Sequence, residues 1–228
     1  MAEFRYRRFR RPFDPRWRFM TGFQNPGRIL DLGCGPGNNC ANFRRLYPQA
    51  ELYGVDVLDR GPAGIDYRRV DLNDGELPFD DAFFDIITMT HVIEHLDHPN
   101  RIAKAIHRIL RSGGGFYVET PNWTSTLVPS FGFCREQSSP FNFYDDPTHV
   151  RPWSKHGLFE FLREQCHLRV EAVGTCRNWA RVPLDVLKLP LAVIRRRRAD
   201  LIGSFCNLYG WSIFAIGLKS GSASGASV

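Results

Sequence analysis

RILDLGCGPGN, residues 28–38, is the stretch of sequence that decides the fold of this chain. An apolar run that contains Asp31 leads to glycines at every second position, Gly33, Gly35 and Gly37. Glycines in a turn between a strand and a helix let the backbone approach a ligand, because no Cβ stands in the way. The N–H groups at the start of the helix and a nearby carboxylate then hold polar groups of that ligand. The stretch therefore predicts a strand, a cofactor-binding turn and a helix.

The spacing of the glycines distinguishes between cofactor classes. A dinucleotide-binding turn has a further glycine three residues after Gly35, where this chain has Asn38. A phosphate-binding P-loop has lysine and then serine or threonine after its last glycine, whereas Asn38 and Asn39 follow Gly37. The pattern therefore disfavours a dehydrogenase and excludes a P-loop.

Further apolar segments with acidic or polar ends follow the turn. The first of them, residues 51–56, ends in Asp56, roughly twenty residues beyond the glycine turn. A carboxylate at that spacing binds the ribose hydroxyls of a nucleotide, so Asp56 is the predicted ribose ligand. Two more strands are predicted at residues 67–72 and 83–89, and residues 110–119 predict a helix end, a glycine stop and a fifth strand.

The motif Asp-x-Gly-x-Gly-x-Gly, with these segments in this order, resembles the class I S-adenosylmethionine-dependent methyltransferases. The resemblance implies a Rossmann-like three-layer αβα sandwich, with a mostly parallel seven-stranded sheet and an antiparallel last strand. It also implies S-adenosyl-L-methionine as cofactor, with the glycine turn beside the methionine moiety and Asp71 and Leu72 beside the adenine. The cofactor-binding residues that it identifies are Asp31, Gly33, Gly35, Gly37, Asp56, Val57, Asp71, Leu72 and Thr90.

Length and composition favour one globular domain. Of the 228 residues, 43% are hydrophobic and 24% are charged, and a domain of this size buries a sizeable core. No apolar run reaches the roughly eighteen residues of a membrane span. The first residues show no signal-peptide pattern. We therefore predict a cytoplasmic chain, either free in the cytoplasm or held peripherally at a membrane.

The predicted organisation has an arm, one domain and a tail. Residues 1–24 form a basic, aromatic N-terminal arm, residues 25–218 the methyltransferase domain, and residues 219–228 a disordered tail rich in serine and glycine. Within the domain, residues 121–152 show no period and are predicted to be a lid or substrate loop. Residues 181–210 are an insertion before the closing strand. Three helices are predicted: one over 38–47, one that begins at Asp97 and stops at the glycines 113–115, and one over 153–166. Two further strands are predicted over 168–175 and 211–218.

Two basic regions allow more than one interpretation. Arginines alternate with aromatic residues in the arm, a pattern that suits stacking on bases or sugars, a membrane surface, or aromatic packing against the domain. The apolar segment 182–194 is followed by four arginines, and residues 182–198 fit the interface of an anionic membrane, a lid or a dimer helix. The net charge of +6 is compatible with acidic substrates, phosphates or lipid headgroups. The oligomeric state stays open.

Candidate catalytic bases lie at the carboxyl edge of the predicted sheet. His91 follows the fourth strand, where open α/β folds bind their ligands. Its surroundings resemble ubiquinone-pathway O-methyltransferases with a Glu-x-x-Glu-His metal cluster, but His91 replaces the first glutamate. We therefore predict no metal, with Glu94 and His95 as the residues that would hold one. His149 is the second base candidate, because residues 145–154 resemble a segment of small-molecule and glycan-associated methyltransferases.

These features predict a methyltransferase that acts on a hydroxyl group of a small molecule, such as a sugar, a lipid-linked glycan or a quinone-like phenol. The alternatives are a methyltransferase of RNA or protein, and a catalytically inactive module that binds the cofactor and regulates a partner. Methylation of DNA bases is disfavoured, because Thr90-His91-Val92-Ile93 stands where such enzymes carry Asn-Pro-Pro-Tyr or Asp-Pro-Pro-Tyr. No DNA partner is expected.

Overall fold

The structure is a computed structural model that describes residues 15–130, 141–195 and 197–221. These residues form a seven-stranded sheet with helices on both faces. The strands are β1 (Arg28–Leu32), β2 (Glu51–Asp56), β3 (Asp66–Arg69), β4 (Phe84–Thr90), β5 (Leu110–Pro121), β6 (Arg169–Thr175) and β7 (Ser212–Leu218). The helices are α1 (Pro15–Met20), α2 (Asn38–Leu46), α3 (Pro99–Ile109), α4 (Lys155–Glu160), α5 (Val182–Ile194) and α6 (Arg198–Tyr209).

The strand order of the sheet is β3-β2-β1-β4-β5-β7-β6. Neighbours among β1 to β5 are parallel, and β7 is antiparallel to both β5 and β6. From β1 the chain proceeds first toward the β3 edge and later returns to add β4 on the other side. This reversal leaves a crevice outside the carboxyl ends of β1 and β4, where α/β sheets bind their ligands. The predicted parallel sheet with an antiparallel last strand is confirmed.

Apolar side chains on both faces of the sheet produce the three layers. On one face, α1 and α2 bury Phe19 and Phe43 against the strands. On the other, α3 and α4 bury Ile106 and Leu158. Because both faces are covered, the central strands are almost continuously apolar, and β4 exposes little except its last residue, Thr90. The predicted αβα sandwich is confirmed.

Residues 15–24 come from the segment that we predicted to be an arm, and they pack against the domain. Phe19 and Met20 of α1 are fully buried, and the ring of Phe19 lies 5.4 Å from that of Tyr117 in β5. The neighbouring Phe23 contacts Phe19 edge-on. This part of the arm therefore contributes side chains to the hydrophobic core. Residues 1–14 lie outside the described residues.

The predicted third strand is too long at its carboxyl end. Pairing of β3 with β2 stops at Arg69, which lies opposite Asp56. The side chain of Asp71 then accepts a hydrogen bond from the N–H of Asn73 at 2.9 Å and caps a short 3-10 helix, Leu72–Asp74. The local competition of an aspartate side chain with the strand ladder explains the early end.

The predicted glycine stop after α3 is wrong. The helix ends at Ile109, because Leu110 already has extended backbone and pairs with Phe84 of β4. Gly113 to Gly115 lie inside β5 instead. A Cβ on Gly114 would stand 2.9 Å from the backbone oxygen of Asp85, so the close approach of β4 and β5 is what requires glycine there.

The predicted loop 121–152 contains local order on both sides of residues 131–140, which lie outside the described part of the chain. It forms 3-10 helices at Trp123–Leu127 and Phe143–Asp145. The amide of Asn142 donates to the backbone oxygen of Val128 at 2.6 Å, which ties the two sides together. The helix predicted over 153–166 begins at Lys155, where the Ser154 hydroxyl caps it, and continues after α4 as a π-helix, Phe161–Gln165.

Lys219, which we predicted to open a disordered tail, is held in place. Its N–H donates to the oxygen of Gly114, and its Nζ donates to the backbone oxygens of His107 and Leu110 at 2.6 and 2.7 Å. The start of the predicted tail therefore extends the pairing of β7 with β5. Residues 222–228 lie outside the described residues.

The insertion forms the helices α5 and α6 at the carboxyl edge of the sheet. β6 ends at Thr175, which lies opposite Ile213, and the next residue toward the edge, Ser212, lies opposite Pro121 at the end of β5. The helices α5 and α6, which connect β6 to β7, therefore lie at the edge of the sheet where the ligand crevice opens. In the part of the chain that the structure describes, every helix is too short or too polar to cross a bilayer.

Candidate active site

The glycine turn after β1 adopts the backbone that its sequence predicts. Gly33 and Gly35 have positive φ angles of 68° and 47°, which favour glycine. A Cβ on Gly33 would overlap the side chain of Val92, so this glycine lets the segment after β4 pack closely on the turn. A Cβ on Gly35 would find nothing within 4 Å. Gly35 therefore faces open space in the crevice.

Asp56 at the end of β2 contacts the glycine turn directly. Its Oδ2 accepts a hydrogen bond from the N–H of Gly35 at 2.8 Å, and its Oδ1 accepts one from the N–H of Leu58 at 3.3 Å. The predicted ribose ligand therefore lies beside Gly35, although the two residues are 21 positions apart in the sequence. The turn and the carboxylate together form one polar rim of the crevice.

Asp31 is a buried carboxylate beneath the turn. Its Oδ1 accepts hydrogen bonds from the Thr88 hydroxyl at 2.7 Å and from the Asn39 amide at 3.1 Å. The same Asn39 amide lies 3.3 Å from the hydroxyl of Thr90. Burial raises the pKa of Asp31, and the hydrogen bonds from Thr88 and Asn39 lower it. Burial outweighs them, so the resulting pKa is about 6. A carboxylate in this state gains stability from a nearby cation.

The other predicted cofactor residues lie along the ends of β2 and β3. Val57 follows Asp56 with its side chain 55% exposed, and its backbone oxygen accepts a hydrogen bond from Arg69 at 3.0 Å. Asp71 caps the 3-10 helix that contains the buried Leu72. The structure thus places Val57, Asp71 and Leu72 after neighbouring strands at the same edge as Asp56.

His91 lies between two buried carboxylates. Its Nδ1 is 3.3 Å from Oε1 of Glu94, and its Nε2 is 3.4 Å from Oε1 of Glu119. A positive φ of 55° turns the chain after β4 so that the ring faces both groups. The ring also lies 6.0 Å from that of Trp211, and the side chain stays 38% exposed. His91 is therefore the solvent-accessible member of a charged cluster.

The two carboxylates determine the protonation of His91. Burial lowers the pKa of His91, but the hydrogen bonds and charges of Glu119 and Glu94 outweigh it and raise that pKa to about 9. Burial raises the pKa of Glu119, while His91 and Arg16 outweigh it and hold that pKa at about 2. At neutral pH the cluster therefore contains an imidazolium and ionised Glu119.

Arg16 of α1 joins this cluster to the glycine turn. Its guanidinium Nη2 lies 3.0 Å from Oε1 of Glu119, and its Nη1 donates to the Asn39 side chain at 3.3 Å. The hydroxyl of Tyr117 also donates to Glu119, at 2.6 Å. Because Asn39 in turn donates to Asp31, a continuous polar network runs from beneath the glycine turn to His91.

His149 lies on the other side of Glu94, together with His95. The backbone N–H of Val150 donates to the backbone oxygen of Glu94 at 2.8 Å, which brings the segment to this position. Nδ1 of His149 lies 2.5 Å from the backbone oxygen of Phe143, and because that oxygen only accepts, Nδ1 carries the proton. Burial lowers the pKa of His149, so the ring is neutral and its Nε2 is a proton acceptor.

Glu94, His95 and His149 are close enough to share a ligand. One oxygen or nitrogen atom of each lies within 4.8 Å of the others. A carboxylate with two imidazoles suits transition metals better than Mg²⁺. Oε1 of Glu94, however, already faces the His91 imidazolium, and its Oε2 accepts a hydrogen bond from the Thr120 hydroxyl at 2.9 Å. We therefore assign no metal to this group.

The sequence analysis missed three residues of this network. Glu119 ends a predicted strand at the edge that carries the other ligands, so its position could have identified it. Asn39 lies in the first turn of the helix after the glycines, which is a second positional signal. Arg16 is one of many arginines in its segment, and no local pattern distinguishes it from the others.

Comparisons with known proteins identify the family of this chain. A profile for a family described as a methyltransferase domain matches residues 4–165. The ubiquinone/menaquinone biosynthesis C-methyltransferase of Desulfotalea psychrophila is 31% identical over 114 residues, which are 44% of this chain and 46% of that protein. A probable S-adenosylmethionine-dependent methyltransferase of Mycolicibacterium smegmatis is 32% identical over 139 residues, 59% of this chain and 49% of that protein. The chain spans about half the length of these curated relatives.

A solved structure shares the fold. The S-adenosylmethionine-dependent methyltransferase of Mesorhizobium loti matches with a TM-score of 0.60, covering 86% of this chain and 93% of that one. The sequence identity is 17%, so this likeness is one of fold.

Proposed function

This chain belongs to the class I S-adenosylmethionine-dependent methyltransferases, and on that premise we propose that it methylates a hydroxyl group of a small molecule. The observation that carries the proposal is the position of His91. It is the exposed member of the cluster with Glu94 and Glu119, it lies at the end of β4, and Val92 beside it packs on the glycine turn. A titratable group in this position can remove a proton from an acceptor bound in the crevice.

The residues around the turn fit the cofactor. Gly35 leaves space where a side chain would intrude, and Asp56 beside it supplies a carboxylate for ribose hydroxyls. We assign Asp31 to the amino group of the methionine moiety, because its raised pKa is relieved by a cation. Asp71 and Leu72 are assigned to the adenine, and Gly33, Gly37, Val57 and Thr90 complete the proposed site. When bound, S-adenosyl-L-methionine supplies an electrophilic methyl group.

The proposed reaction is an in-line displacement. Asp31, Gly35 and Asp56 would hold the cofactor, whose sulfonium would supply the methyl group to the aligned acceptor oxygen and leave as a neutral thioether. The hydroxyl proton passes to neutral His91, and Glu94 and Glu119 stabilise the imidazolium that results. The role of the protein is to align the oxygen and to accept this proton.

The pKa of His91 favours one class of hydroxyl among the acceptors that we considered. Each unit by which the pKa of a hydroxyl exceeds that of the base adds about 1.4 kcal/mol to the free energy of proton transfer. The value of about 9 for His91 lies near that of a phenol, roughly 10. A quinone-like phenol therefore suits this base better than a sugar or lipid-linked glycan hydroxyl.

A second candidate is methylation at carbon, the reaction for which the Desulfotalea psychrophila relative is named. A phenolate attacks through either oxygen or an adjacent ring carbon, so the same base serves both reactions. The position of the methyl group in the isolated product distinguishes them.

The first experiment is calorimetric titration with S-adenosyl-L-methionine and with its demethylated product. We expect micromolar binding by the wild type, lost in Asp56→Ala and retained in Asp59→Ala, whose side chain is exposed in a surface ion pair with Arg69. Absence of binding by a folded, cofactor-free wild type would contradict the proposed cofactor site. Unchanged binding by Asp56→Ala would contradict the role of Asp56.

A second experiment presents phenols, sugars and RNA together with cofactor labelled in its methyl group. Transfer to phenols, abolished in His91→Asn with cofactor binding intact, is the expected result. Transfer to RNA or to a protein would replace the proposed acceptor class by those alternatives. Cofactor binding without transfer to any acceptor would favour the inactive regulatory module.

A further inference from the structure

Helix α5 has an apolar surface that faces outward. Thirteen residues, VPLDVLKLPLAVI, form this helix, and its acidic residue is Asp185. A helix that is apolar nearly all round is normally enclosed by protein or by lipid. Here one narrow stripe is buried or partly buried and the rest of the helix is exposed; the stripe consists of Val182, Asp185, Leu189 and Ala192. The exposed large apolar residues are Leu184, Val186, Leu187, Leu191, Val193 and Ile194.

The orientation of α5 is fixed by its buried carboxylate. Asp185 is fully buried and accepts hydrogen bonds from the Ser204 hydroxyl at 3.1 Å and from the Asn207 amide at 2.6 Å, both on α6. Arg181 also reaches it, at 3.3 Å. The polar side of α5 is thus used to hold α6. Leu187 and Ile194, which are 69% and 77% exposed, consequently point away from the rest of the protein.

The charge around this apolar surface is positive. Lys188 is exposed on α5, and Arg195 and Arg197 are exposed directly after it, where Arg197 lies 3.7 Å from the exposed carboxylate of Asp200. They belong to a run of four arginines over residues 195–198. The acid of α5, Asp185, is turned inward, so the outward side of this helix combines large apolar side chains with cations. Such a surface is complementary to a layer of anionic headgroups above hydrocarbon.

The helix pair also contacts the surroundings of the candidate active site. The hydroxyl of Tyr209 at the end of α6 donates to the backbone oxygen of Thr124 at 2.9 Å. Trp211, which follows α6, donates from its indole nitrogen to the Phe141 oxygen at 2.8 Å and lies beside His91. A membrane bound by α5 would therefore lie close to the entrance of the crevice.

We propose that α5, with the arginines that follow it, docks this chain onto the surface of an anionic lipid bilayer. At 1.5 Å per residue the helix is about 20 Å long, less than the roughly 30 Å hydrocarbon core, so it lies in the plane of the interface. Docking in this orientation gives the crevice access to an acceptor held in the membrane, such as a lipid-linked phenol. This last step rests on the proposed function, whereas the docking itself does not.

The test is flotation of the full chain with vesicles, without cofactor or acceptor. We expect flotation with vesicles of phosphatidylcholine mixed with phosphatidylglycerol, and much less with phosphatidylcholine alone. The double variant Leu187→Glu/Ile194→Glu should weaken the partition about tenfold or more, because two large apolar side chains are lost from the buried surface. Arg195→Gln/Arg197→Gln should weaken it about tenfold and reduce its dependence on salt.

The control variant is Lys155→Gln/Arg163→Gln, which removes the same charge from the exposed surface of α4 and the following π-helix. It should float like the wild type. Circular dichroism and cofactor titration establish that each variant is folded, and cofactor binding tests the proposed function separately. Equal flotation of the Leu187→Glu/Ile194→Glu variant, or no flotation of the wild type, would overturn the proposal. So would a wild-type dimer that this variant converts to monomers, because the apolar surface would then join two copies.

Discussion

The guanidinium of Arg16 lies 3.0 Å from the carboxylate of Glu119, although 103 positions separate the two residues. The contact links a helix that precedes the first strand to the end of β5. Arg16 thereby neutralises one of the two carboxylates that face His91. The charge balance of the candidate active site therefore depends on the segment before β1.

The exchange Arg16→Gln should destabilise the fold. Glu119 is buried, so its charge is destabilised when the Arg16 guanidinium is removed. His91 and the Tyr117 hydroxyl remain as its partners. We expect the free energy of unfolding to fall by about 2 kcal/mol. Chemical denaturation measures this. Arg163→Gln, which removes an exposed arginine, is the control and should change stability little. Equal stability of the two variants would contradict a supporting role for Arg16.

Alanine at two glycines of the turn should have different effects. In Gly35→Ala the new Cβ meets open space, so the fold is retained, with a small free-energy cost for the positive φ. Cofactor affinity falls, because the alanine side chain occupies part of the crevice. In Gly33→Ala the Cβ overlaps Val92, so stability itself falls. Thermal unfolding and cofactor titration of both variants separate these outcomes. Wild-type affinity in Gly35→Ala would place the cofactor elsewhere.

The rate of methyl transfer should rise with pH. His91 accepts a proton only in its neutral form, and its pKa is about 9. Below that value kcat/KM should increase about tenfold per pH unit and then level off. The exchange His91→Asn should lower kcat about a hundredfold or more at neutral pH and abolish this slope. A profile unchanged in His91→Asn would identify another base, and His149→Ala would then be tested.

The contribution of His91 to stability should depend on pH in the opposite direction. The pKa of His91 is about 9 in the folded protein, above the ordinary value of 6.5. The stabilisation by its charge is therefore fully present below pH 6.5 and is lost as the pH rises through 9. The difference in unfolding free energy between wild type and His91→Gln should follow this course. A difference that does not vary with pH would show that the ring is neutral in the folded protein.

Removal of divalent metals should leave both cofactor binding and turnover unchanged. Glu94, the carboxylate of the group with His95 and His149, is already ion-paired with His91. Dialysis against a chelator, followed by titration and activity measurement, tests this expectation. Loss of activity that Co²⁺ or Zn²⁺ restores in the wild type, and fails to restore in His149→Ala, would identify the group as a metal site.

The sequence predicted the strands whose signals are local. β1, β2 and β4 are apolar segments that end in recognisable polar residues, and the glycine spacing distinguished between cofactor classes. The error at the predicted glycine stop occurred where a distant contact determines the local structure. Gly114 resembles a helix stop, yet it lies within a strand because the backbone of Asp85 passes so closely.

The candidate site was predictable only along the strand ends. Asp31, Asp56 and His91 lie within, at the end of or directly after apolar segments, and the strands bring them to one edge. The pairing of His91 with Glu119 depends on the register between β4 and β5, and Arg16 depends on how α1 packs. Neither relationship leaves a periodic signal in the sequence, so the charge state of His91 emerged only from the structure.

The position of β7 has a consequence for the order in which this protein assembles on the ribosome. Among the strands that the structure describes, β7 is synthesised last, yet it lies between β5 and β6, and β6 pairs with no other of these strands. The parallel strands that carry the glycine turn can associate while translation continues. β6 must wait without a neighbour until Ser212 and the residues after it emerge. A nascent chain arrested before β7 would thus contain the strands that carry the glycine turn. Next to Trp211, it would lack the strand that lies between β5 and β6.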